Sequence, residues 1–397
     1  MKMTYDIIIL GSGIAGLLLG SELSSKCKVL ILEKEKQIPI QKYWLTDLKN
    51  APVNSELLSC VDSEYSFMDF ISYNFINYRL KGNYALWNTN KLTDFLKNIV
   101  LSSTTSSTVI TNLKFFTYQN LDNVIQVYAS DLKFNCKILI DCMGSSSPLI
   151  YAKNVVNICG FYLMYGAVLN TKAKIEPIGL HNINVNKNPL YLEVFPTKNN
   201  NAYVTIILPQ KKIKNAITTL KEDFDFIIKK SFYSKYFYED YADVLYGIIP
   251  AGNIKKNNIE NIFFYGEAGL INPAASATGL TRMLLTYKKF CKVMISKLEG
   301  NKNKFDKDLY VDSLNNNLQV NLFNEILNWN SDDFAEFIRE LEYISSQTAN
   351  DLIFGNVEMR KLLNLNEFKN LRKHPMLTKL FFKSYIMSKI DSLKSFL

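Results

Sequence analysis

The sequence predicts an α/β fold in which a sheet of parallel strands is interrupted by an antiparallel sheet and followed by a helical C-terminal region. Three observations predict this arrangement. The apolar segment YDIIIL leads through a glycine-rich turn into a helical segment and then into VLIL, which is the beginning of a βαβ unit. Residues 161–250 contain β-rich segments separated by Asn- and Lys-rich turns, which indicates an antiparallel sheet. From about residue 287 onward, helical patterns dominate.

The size and composition of the chain indicate a globular protein. With 397 residues, 48% of them hydrophobic, it is long enough for two or three structural units with cores of their own. Its longest apolar runs are much shorter than the roughly 18–20 residues of a membrane-spanning helix. The first apolar run is cut by Gly-Ser-Gly and followed by an acidic turn, which is typical of a core strand and not of a signal peptide. We therefore expect a cytoplasmic protein.

The cysteine and histidine content argues against several kinds of site. The six cysteines form no C-x-x-C pair, which disfavours a zinc site, a thioredoxin-like site and a disulfide scaffold. His181 and His374 are the two histidines of the chain, and two leave little material for a Ser-His-Asp hydrolase or a multi-histidine metal site. Proton transfer would then rest on carboxylates, tyrosine, lysine or water.

The first chemical motif is a glycine turn that directly follows the first predicted strand. It comprises Gly11, Ser12, Gly13, Ile14, Ala15 and Gly16. Gly11 permits a tight turn, Gly13 lets a pyrophosphate approach the backbone, and Gly16 lets the following helix pack closely on the strand. The N-terminus of that helix favours phosphate groups. The next strand ends at Glu33 and Lys34, about where an acid accepts hydrogen bonds from an adenosine ribose, so the sequence predicts a dinucleotide site.

Two further motifs place glycines at the ends of predicted strands. CKILIDCMGSSSP runs from a strand into Asp141, Gly144 and a serine cluster. NIFFYGEAGLINPAASATGLTRML brings Gly266 and Glu267 to the end of a buried strand. Its small-residue loop then leads into a helix through Ala277, Thr278 and Gly279. Because a doubly wound sheet brings such strand ends to one crevice, we expect the three motifs to converge.

In this order, GSGIAG, LILEKE, LIDCMG and GEAGLINPAASATG resemble the motifs of a flavoprotein superfamily. This superfamily includes geranylgeranyl reductases, lycopene cyclases, flavin-dependent halogenases and aromatic hydroxylases, and the resemblance covers about the first 300 residues. It implies a Rossmann-like FAD-binding domain interrupted by an antiparallel β-sheet substrate domain. The expected boundaries are 1–160 with 255–300 for the FAD-binding domain, 161–254 for the substrate domain and 301–397 for the helical region. Part of 40–90 is expected on the substrate side.

The resemblance implies FAD as the bound cofactor, with NAD(P)H as a candidate external electron donor. It assigns the glycines of the first turn to the pyrophosphate and Glu33 to the adenosine ribose. Glu267 stands where the superfamily usually has an aspartate near the ribityl-pyrophosphate. The backbone at 277–279 would lie at the pyrimidine edge of the flavin, where a helix N-terminus favours the negative charge of reduced flavin.

The segment YLEVFP resembles two signatures of this superfamily. Geranylgeranyl reductases carry Tyr-x-Trp-x-Phe-Pro, which Tyr191, Phe195 and Pro196 fit, and Glu193 replaces its tryptophan. Lycopene cyclases carry Phe-x-Glu-x-Thr, whose glutamate is the proposed proton donor; here Glu193 fits, and Phe195 replaces the threonine. A glutamate between aromatic residues in an apolar cavity would have a raised pKa and would be suited to protonate an alkene.

Alternation along this segment leaves the orientation of Glu193 open. Period two places Tyr191, Glu193 and Phe195 on one face, and the opposite face is thoroughly apolar. If the first face is exposed to solvent, Glu193 is a solvated side chain. If that face lies under a ligand, Glu193 and Tyr191 are candidate catalytic residues. Tyr191 and Phe195 are then candidate substrate contacts. Trp44, in the segment KYWLTDLKN after the first acidic turn, is a further candidate to line the cavity or cap the flavin, and the alternative is an ordinary packed loop.

Three functional hypotheses follow from the motifs. The main one is an FAD-dependent enzyme acting on C=C bonds of a hydrophobic isoprenoid or polyene substrate, by reduction or by redox-neutral cyclisation. The alternative is a flavin-dependent monooxygenase or halogenase acting on a small secondary-metabolite scaffold. The halogenase segment Trp-x-Trp-x-Ile-Pro does not occur in the sequence, and the Asp-Gly pair of NADPH-dependent hydroxylases is interrupted in Asp141-Cys-Met-Gly144. The third is a flavin-binding protein without catalytic activity.

The net charge of +9 is partly concentrated at the C-terminal end. The cations there are Arg372, Lys373, Lys379, Lys383, Lys389 and Lys394. Apolar residues recur between them at helical spacing. This pattern fits a terminal helix packed on the body with a solvated basic edge, or an amphipathic helix in peripheral contact with an anionic membrane. The chain shows no basic-aromatic motif for nucleic acid, and we expect neither nucleic acid nor an obligate protein as its partner.

Overall fold

The computed structural model describes residues 3–36, 43–51, 53–121, 124–185, 188–213, 216–241, 244–256, 258–301, 313–356 and 375–394. It contains two sheets. The strands of the first sheet are β1 (Met3–Leu10), β2 (Val29–Leu32), β6 (Thr108–Ile110), β7 (Phe115–Leu121), β8 (Val124–Ala129), β9 (Leu132–Asp141), β15 (Asn258–Ile259) and β16 (Ile262–Phe264). The strands of the second sheet are β3 (Tyr43–Asp47), β4 (Val61–Ile71), β5 (Asn77–Asn88), β10 (Val156–Asn170), β11 (Ile178–Val185), β12 (Asn188–Pro196), β13 (Asn201–Gln210) and β14 (Val244–Ile254).

Helices surround both sheets. Those of the first 300 residues are α1 (Ile14–Leu23), α2 (Ser55–Leu58), α3 (Thr89–Leu101), α4 (Pro148–Ala152), α5 (Ala216–Lys230) and α6 (Gly279–Leu298). Those that follow are α7 (Ser313–Ile326), α8 (Ser331–Leu341), α9 (Ser346–Ile353) and α10 (Pro375–Lys394). Short 3-10 turns occur at Gly144–Ser146, Phe232–Lys235 and Gly266–Gly269. Among the described residues, no helix combines the length and the apolar character that crossing a bilayer requires.

The first sheet is parallel at its centre. Its order is β15-β16-β9-β1-β2-β6, and the β7–β8 hairpin extends from β9. The pairs of β1 with β2 and β9, of β16 with β9 and of β2 with β6 are all parallel. Ile7, Ile8 and Ile9 on β1 are fully buried, because a parallel sheet is covered on both faces. The three glycine motifs follow β1, β9 and β16, so their loops lie at the same edge of this sheet.

The second sheet is antiparallel except for one pair. Its order is β14-β10-β13-β12-β11-β4-β5-β3, and β11 pairs with β4 in parallel. On one face, Leu192 and Val194 of β12 pack in a core with Phe224 and Ile228 of α5. On the other face, Tyr191 packs in a core with side chains of α7–α10 and their connections. The predicted α/β architecture, with an antiparallel sheet and a helical C-terminal region, is confirmed; the division into domains stays a prediction.

The described part of α10 packs on the body of the protein through one side. Leu377, Leu380 and Phe381 are buried in the same core as Phe334 of α8. The opposite side exposes Phe382, Tyr385, Ile386 and Met387 next to Lys379 and Lys383. Arg372, Lys373 and His374 lie outside the described residues, as do the side chains of Lys389 and Lys394. Contact of this helix with a membrane stays a prediction.

Candidate functional site

The first glycine turn is tight on one side and open on the other. Gly11 has a φ of +98°, and a Cβ there would lie 2.6 Å from the carbonyl oxygen of Cys142. A Cβ on Gly16 would lie 2.0 Å from the carbonyl oxygen of Gly11, so α1 can pack at this distance only without a side chain. A Cβ on Gly13 would meet no atom within 4 Å. The turn therefore leaves free space at Gly13, where a ligand can reach the backbone.

The carboxylate of Glu33 is held beside this turn at the end of β2. Its Oε2 accepts hydrogen bonds from Ser12 N at 2.9 Å and from Ser12 Oγ at 3.0 Å. Its Oε1 accepts a hydrogen bond from Glu35 N at 3.0 Å. An ionised carboxylate has about four acceptor positions, so capacity remains for a ligand hydroxyl. Lys34 is exposed, and its side chain lies on the wall of the cavity described below.

Asp141 organises the second glycine loop. It ends β9 and is fully buried, and burial raises the pKa of its carboxyl to about 6. The carboxyl accepts hydrogen bonds from Met143 N at 2.9 Å and from Ser147 Oγ. Ser147 Oγ also accepts a hydrogen bond from Leu149 N at 3.1 Å, which caps α4. Asp141 thus shapes the turn that carries Gly144, whose φ is +70°.

The three glycine motifs converge, as the sequence predicts. Gly266 has a φ of +67°, and a Cβ there would lie 2.5 Å from the Cβ of Ala15. A Cβ on Gly144 would lie 3.3 Å from Oε2 of Glu267. The third loop therefore contacts the first loop at Ala15 and the second loop at Gly144.

The N-terminus of α6 lies at the same crevice. Its N-cap residue, Thr278, makes no side-chain hydrogen bond to the first turn of α6, because its hydroxyl interacts with Ser276 Oγ at 2.9 Å. The backbone N–H groups of that turn are thus without a side-chain cap, and the helix dipole adds positive potential. Ala277 (φ +57°), Thr278 and Gly279 all lie on the cavity wall.

One buried polar atom near this helix points to a ligand. Asn272 is 6% exposed and its side chain lies on the wall of the same cavity. In the part of the chain that the structure describes, its Oδ1 has no hydrogen-bond partner. Buried side-chain oxygens in native proteins are nearly always paired, so a bound donor would account for this one.

A cavity of about 660 Å³ connects this crevice with the second sheet. Its walls are mainly apolar and aromatic, and they include the predicted residues Trp44, Tyr191, Glu193, Phe195 and Glu267. The helical region closes the cavity with Leu322, Ile326, Trp329, Phe334, Phe337 and Phe354. The glycines of the first turn, Glu33, Gly144 and Gly266 lie in the adjoining loops and not on the wall.

Glu193 faces this cavity. It lies opposite Thr205 in the antiparallel pairing of β12 with β13, and both side chains are on the wall. Glu193 is half-buried, because the part of its surface that is not covered by protein opens into the cavity. Burial raises the pKa of its carboxyl to about 8, and no hydrogen bond from the described residues offsets this rise. The carboxyl is therefore mostly protonated at neutral pH.

Several cavity residues were not anticipated from the sequence. Tyr43, Tyr162, Tyr203 and Thr205 all lie on the wall. Tyr162 Oη donates a hydrogen bond to the carbonyl oxygen of Ala275 at 2.5 Å, which ties the second sheet to the loop before α6. Period two along β10 and β13 is the signal that could have found Tyr162, Tyr203 and Thr205, once the strand paired with Glu193 is known. The groups of His, Cys, Asp and Glu within the described ranges include no set that could hold a metal ion.

The chain was compared with known proteins. No protein-family model matches it, and no curated protein sequence matches it. A flavoprotein/dehydrogenase from Cytophaga hutchinsonii is similar in structure, with a TM-score of 0.69, 13% identity and coverage of 99% of this chain and 100% of that one. A geranylgeranyl bacteriochlorophyll reductase-like protein from Thermoplasma acidophilum has a TM-score of 0.64 and 14% identity, covering 97% of this chain and 100% of that one.

A third solved structure, a halogenase in complex with FAD, has a TM-score of 0.59 and 14% identity, covering 96% of this chain and 94% of that one. The three likenesses extend over nearly the whole chain, including the helical region. They establish that the chain shares its fold with these proteins.

Proposed function

We propose that this protein is an FAD-dependent enzyme that acts on C=C bonds of a hydrophobic isoprenoid or polyene substrate, by reduction or by redox-neutral cyclisation. The observation that carries the proposal is the place of Glu193 on the wall of a mainly apolar cavity that also reaches the glycine loops and the N-terminus of α6, where burial raises the pKa of its carboxyl to about 8. An acid of this kind matches the needs of alkene chemistry, in which a carbon atom must receive a proton.

The residues around the crevice fit FAD. The space at Gly13 admits a pyrophosphate, Glu33 has remaining acceptor capacity for a ribose hydroxyl, and the uncapped first turn of α6 suits an electron-rich ring edge. The orphaned oxygen of Asn272 offers an acceptor on the same wall. A halogenase of the same fold binds FAD in its crystal structure. Bound FAD would supply hydride for a reduction, or electron density next to a cationic substrate in a cyclisation.

The cavity walls support a hydrophobic substrate. Aromatic and aliphatic side chains form most of the surface, and Tyr191 packs edge-on against Phe334 with ring centroids 5.1 Å apart. Few polar side chains of the second sheet interrupt this lining; Glu193 and Thr205 are two of them. Burying a long hydrocarbon there gains about 25 cal/mol per Å² of apolar surface removed from water.

Glu193 would act as the proton donor and Tyr191 would hold the substrate next to it. In a reduction, the carboxyl O–H bond breaks, its proton joins one alkene carbon, and hydride joins the other, which leaves Glu193 ionised. In a cyclisation, the same proton starts ring closure, and the loss of a proton from the cyclised carbon restores the carboxyl. Aromatic side chains of the cavity wall would position a cationic or neutral intermediate.

The second candidate is a monooxygenase or halogenase on a small aromatic scaffold. It is favoured by the likeness of the fold to the FAD-containing halogenase. In that case Glu193 would be a base or a hydrogen-bonding group for a phenol.

The external electron donor is a separate question for both candidates. Anaerobic mixing of the reconstituted protein with NADH or NADPH would show whether either serves as the electron donor.

The experiment that tests the proposal is mass spectrometry of everything extracted from the purified, denatured protein. FAD together with an isoprenoid or polyene supports the proposed function and names the substrate class. FAD with only a small polar aromatic compound favours the second candidate. No flavin after reconstitution with FAD would remove the basis of both.

A further inference from the structure

Helix α10 is apolar on two opposite sides. On its inner side, Leu377, Leu380 and Phe381 are buried against the body of the protein. On the other side, which we call the outer side, four large apolar side chains are between 41% and 64% exposed: Phe382, Tyr385, Ile386 and Met387. A helix that is apolar all round is normally covered all round. The outer side therefore has the character of a contact surface and not of a solvated helix face.

Hydrogen bonds fix which side of α10 faces outward. The buried carboxylate of Glu340 on α8 accepts hydrogen bonds from Met376 N at 3.0 Å and from Leu377 N at 2.7 Å. Farther along the helix, Asn321 Nδ2 on α7 donates to Ser384 Oγ at 3.0 Å, and both side chains are buried. If α10 rolled to bury its outer side, these buried polar groups would lose their partners, which costs more than the exposed hydrogen bonds of a surface helix. The outer side thus stays outward.

The outer side also carries positive charge. Lys379 and Lys383 are exposed and precede Phe382 and Ile386 by three residues, which is the spacing of neighbours on one side of a helix. Lys383 also lies 3.5 Å from the carboxylate of Glu325 on α7. Residues 372–394 contain six cations and one acid, a net charge of +5 out of the +9 of the whole chain. An apolar surface among cations matches a partner that is apolar and anionic.

We propose that the outer side of α10 lies in the interface of an anionic lipid bilayer, with the helix axis parallel to the membrane surface. The exposed apolar side chains would enter the boundary between headgroups and acyl chains. The lysines would extend their long stems to the level of the lipid phosphates. A second copy of this chain fits less well, because a symmetric contact would place the two sets of cations against each other.

The place of α10 in the fold connects this contact with the cavity. Phe334 and Phe337 on α8 lie on the cavity wall and pack in the same core as Leu377 and Leu380 of α10. One layer of helix therefore separates the cavity wall from the outer side. With a hydrophobic substrate, docking would make the membrane the source of that substrate; this last step rests on the proposed function, and the docking itself does not.

The test is flotation of the whole chain with vesicles of phosphatidylcholine alone and of phosphatidylcholine and phosphatidylserine at three to one. The variants are Phe382→Ser combined with Ile386→Ser, and Lys379→Gln. The matched controls are Phe116→Ser, at a ring on β7 that is 60% exposed, and Lys114→Gln, at an exposed lysine before β7. All the changed side chains are exposed, so the thermal unfolding midpoint should be the same throughout.

We expect the wild type to bind the anionic vesicles, and to bind them more weakly as salt is added. The double serine variant should bind them about tenfold more weakly or less, because the exposed apolar surface that enters the interface is lost. Lys379→Gln should bind about fivefold more weakly, as for one cation at an anionic surface. Both controls should bind as the wild type does.

A tryptophan at position 382 reports insertion directly. Vesicles with brominated acyl chains quench a tryptophan that reaches the acyl boundary. We expect quenching in Phe382→Trp beyond that of the wild type, and no such increase in Phe116→Trp. An equal increase in both would overturn the placement of the outer side in the membrane.

Three further outcomes decide the proposal. Absence of wild-type binding to the anionic vesicles, or equal binding to the neutral ones, would overturn it. Binding that the double serine variant does not weaken would also overturn it, since the membrane would then contact another surface. If light scattering shows a dimer that the double variant turns into a monomer, and no vesicles bind, the outer side is a contact between copies. Docking without turnover of any isoprenoid or polyene would support the membrane contact and count against the proposed function alone.

Discussion

Glu193 lies directly opposite Thr205 in the pairing of β12 with β13, and both side chains point into the cavity. The pairing settles which face of β12 the glutamate occupies. The other face is covered by α5, so Glu193 is enclosed by the second sheet and the C-terminal helices. This enclosure raises the pKa of its carboxyl to about 8.

Replacing Glu193 by glutamine removes the transferable proton and keeps the shape of the side chain. We expect Glu193→Gln to bind FAD as the wild type does and to lose about 10²-fold or more in turnover, which is the usual contribution of a general acid. Steady-state kinetics and flavin titration measure the two quantities. Glu64→Gln, an exposed position on β4, is the matched control. Wild-type turnover in Glu193→Gln would contradict the proton-donor role.

The raised pKa of Glu193 makes activity depend on pH. Turnover requires the protonated acid, so the rate should fall as the pH rises through about 8. The pH–rate profile of the wild type should show this limb. If a variant that keeps Glu193 no longer shows this fall in rate, the fall belongs to the titration of another group.

The carboxyl of Glu193 should also make the stability of the native protein depend on pH. The native state keeps a proton on Glu193 that the unfolded chain releases above its ordinary pKa of 4.5, so native stability falls as pH rises from 4.5 to about 8 and then levels off. Glu193→Gln has no such charge to bury. We expect its unfolding midpoint to exceed that of the wild type by a margin that grows across this window, as measured by thermal unfolding at several pH values. A constant difference would contradict the buried, titrating carboxyl.

The glycines at 13 and 16 should respond differently to alanine. Gly13 has ordinary dihedral angles (φ −66°) and open space, so Gly13→Ala should leave the stability of the FAD-free protein unchanged and weaken FAD binding about tenfold or more. Gly16→Ala should destabilise the protein, because its Cβ would collide with the backbone of Gly11. Helix propensity alone predicts the opposite, a gain of about 1 kcal/mol. Urea unfolding and quenching of flavin fluorescence separate the two effects.

Ser147 has a structural role that its neighbour Ser146 does not share. Its hydroxyl caps α4 and donates to the buried carboxyl of Asp141. Ser147→Ala should reduce the free energy of unfolding by about 2 kcal/mol, the combined cost of a lost cap and an unsatisfied buried acceptor. Ser146→Ala, measured by the same urea titration, should change it little, because the Ser146 hydroxyl is exposed.

Phe334 on α8 should limit the length or bulk of the substrate. It is 2% exposed, lies on the cavity wall and packs edge-on against the ring of Tyr191. Phe334→Leu should cost on the order of 1–2 kcal/mol of stability and shift the preference, as the ratio of kcat/KM, toward longer or branched substrates. Phe232→Leu, at an exposed ring, is the control. An unchanged preference would show that the substrate does not reach α8.

The glycine motifs were predictable because their geometry is local. The φ of +98° at Gly11 and the close approach at Gly16 follow from a strand that turns sharply into a helix, which a short stretch of sequence encodes. The convergence of the loops follows from the parallel strands that precede them. The buried role of Asp141 was not predicted, because it depends on the hydroxyl of Ser147 folding back onto the strand end.

The orientation of Glu193 could not be predicted, because both faces of β12 are covered. Alternation of polar and apolar residues distinguishes the two faces of a strand only when one face is exposed to solvent. Here Leu192 packs against α5 and Tyr191 packs against α8. The partners of Glu193 on the wall come from distant strands, such as Tyr43 on β3 and Tyr203 on β13. These contacts depend on which distant strands pair with each other, and that pairing cannot be predicted from a single sequence.

The parallel pairing of β11 with β4 has a consequence for how the chain folds. It joins residues 178–181 to residues 69–71, and β16 at 262–264 completes the first sheet against β9. Neither sheet can close until most of the chain has left the ribosome. Folding rates fall as contacts become more distant in sequence, so we expect slow folding with unpaired strand edges exposed during synthesis. A fragment covering 161–254 alone would lack β3, β4 and β5, and would aggregate instead of folding.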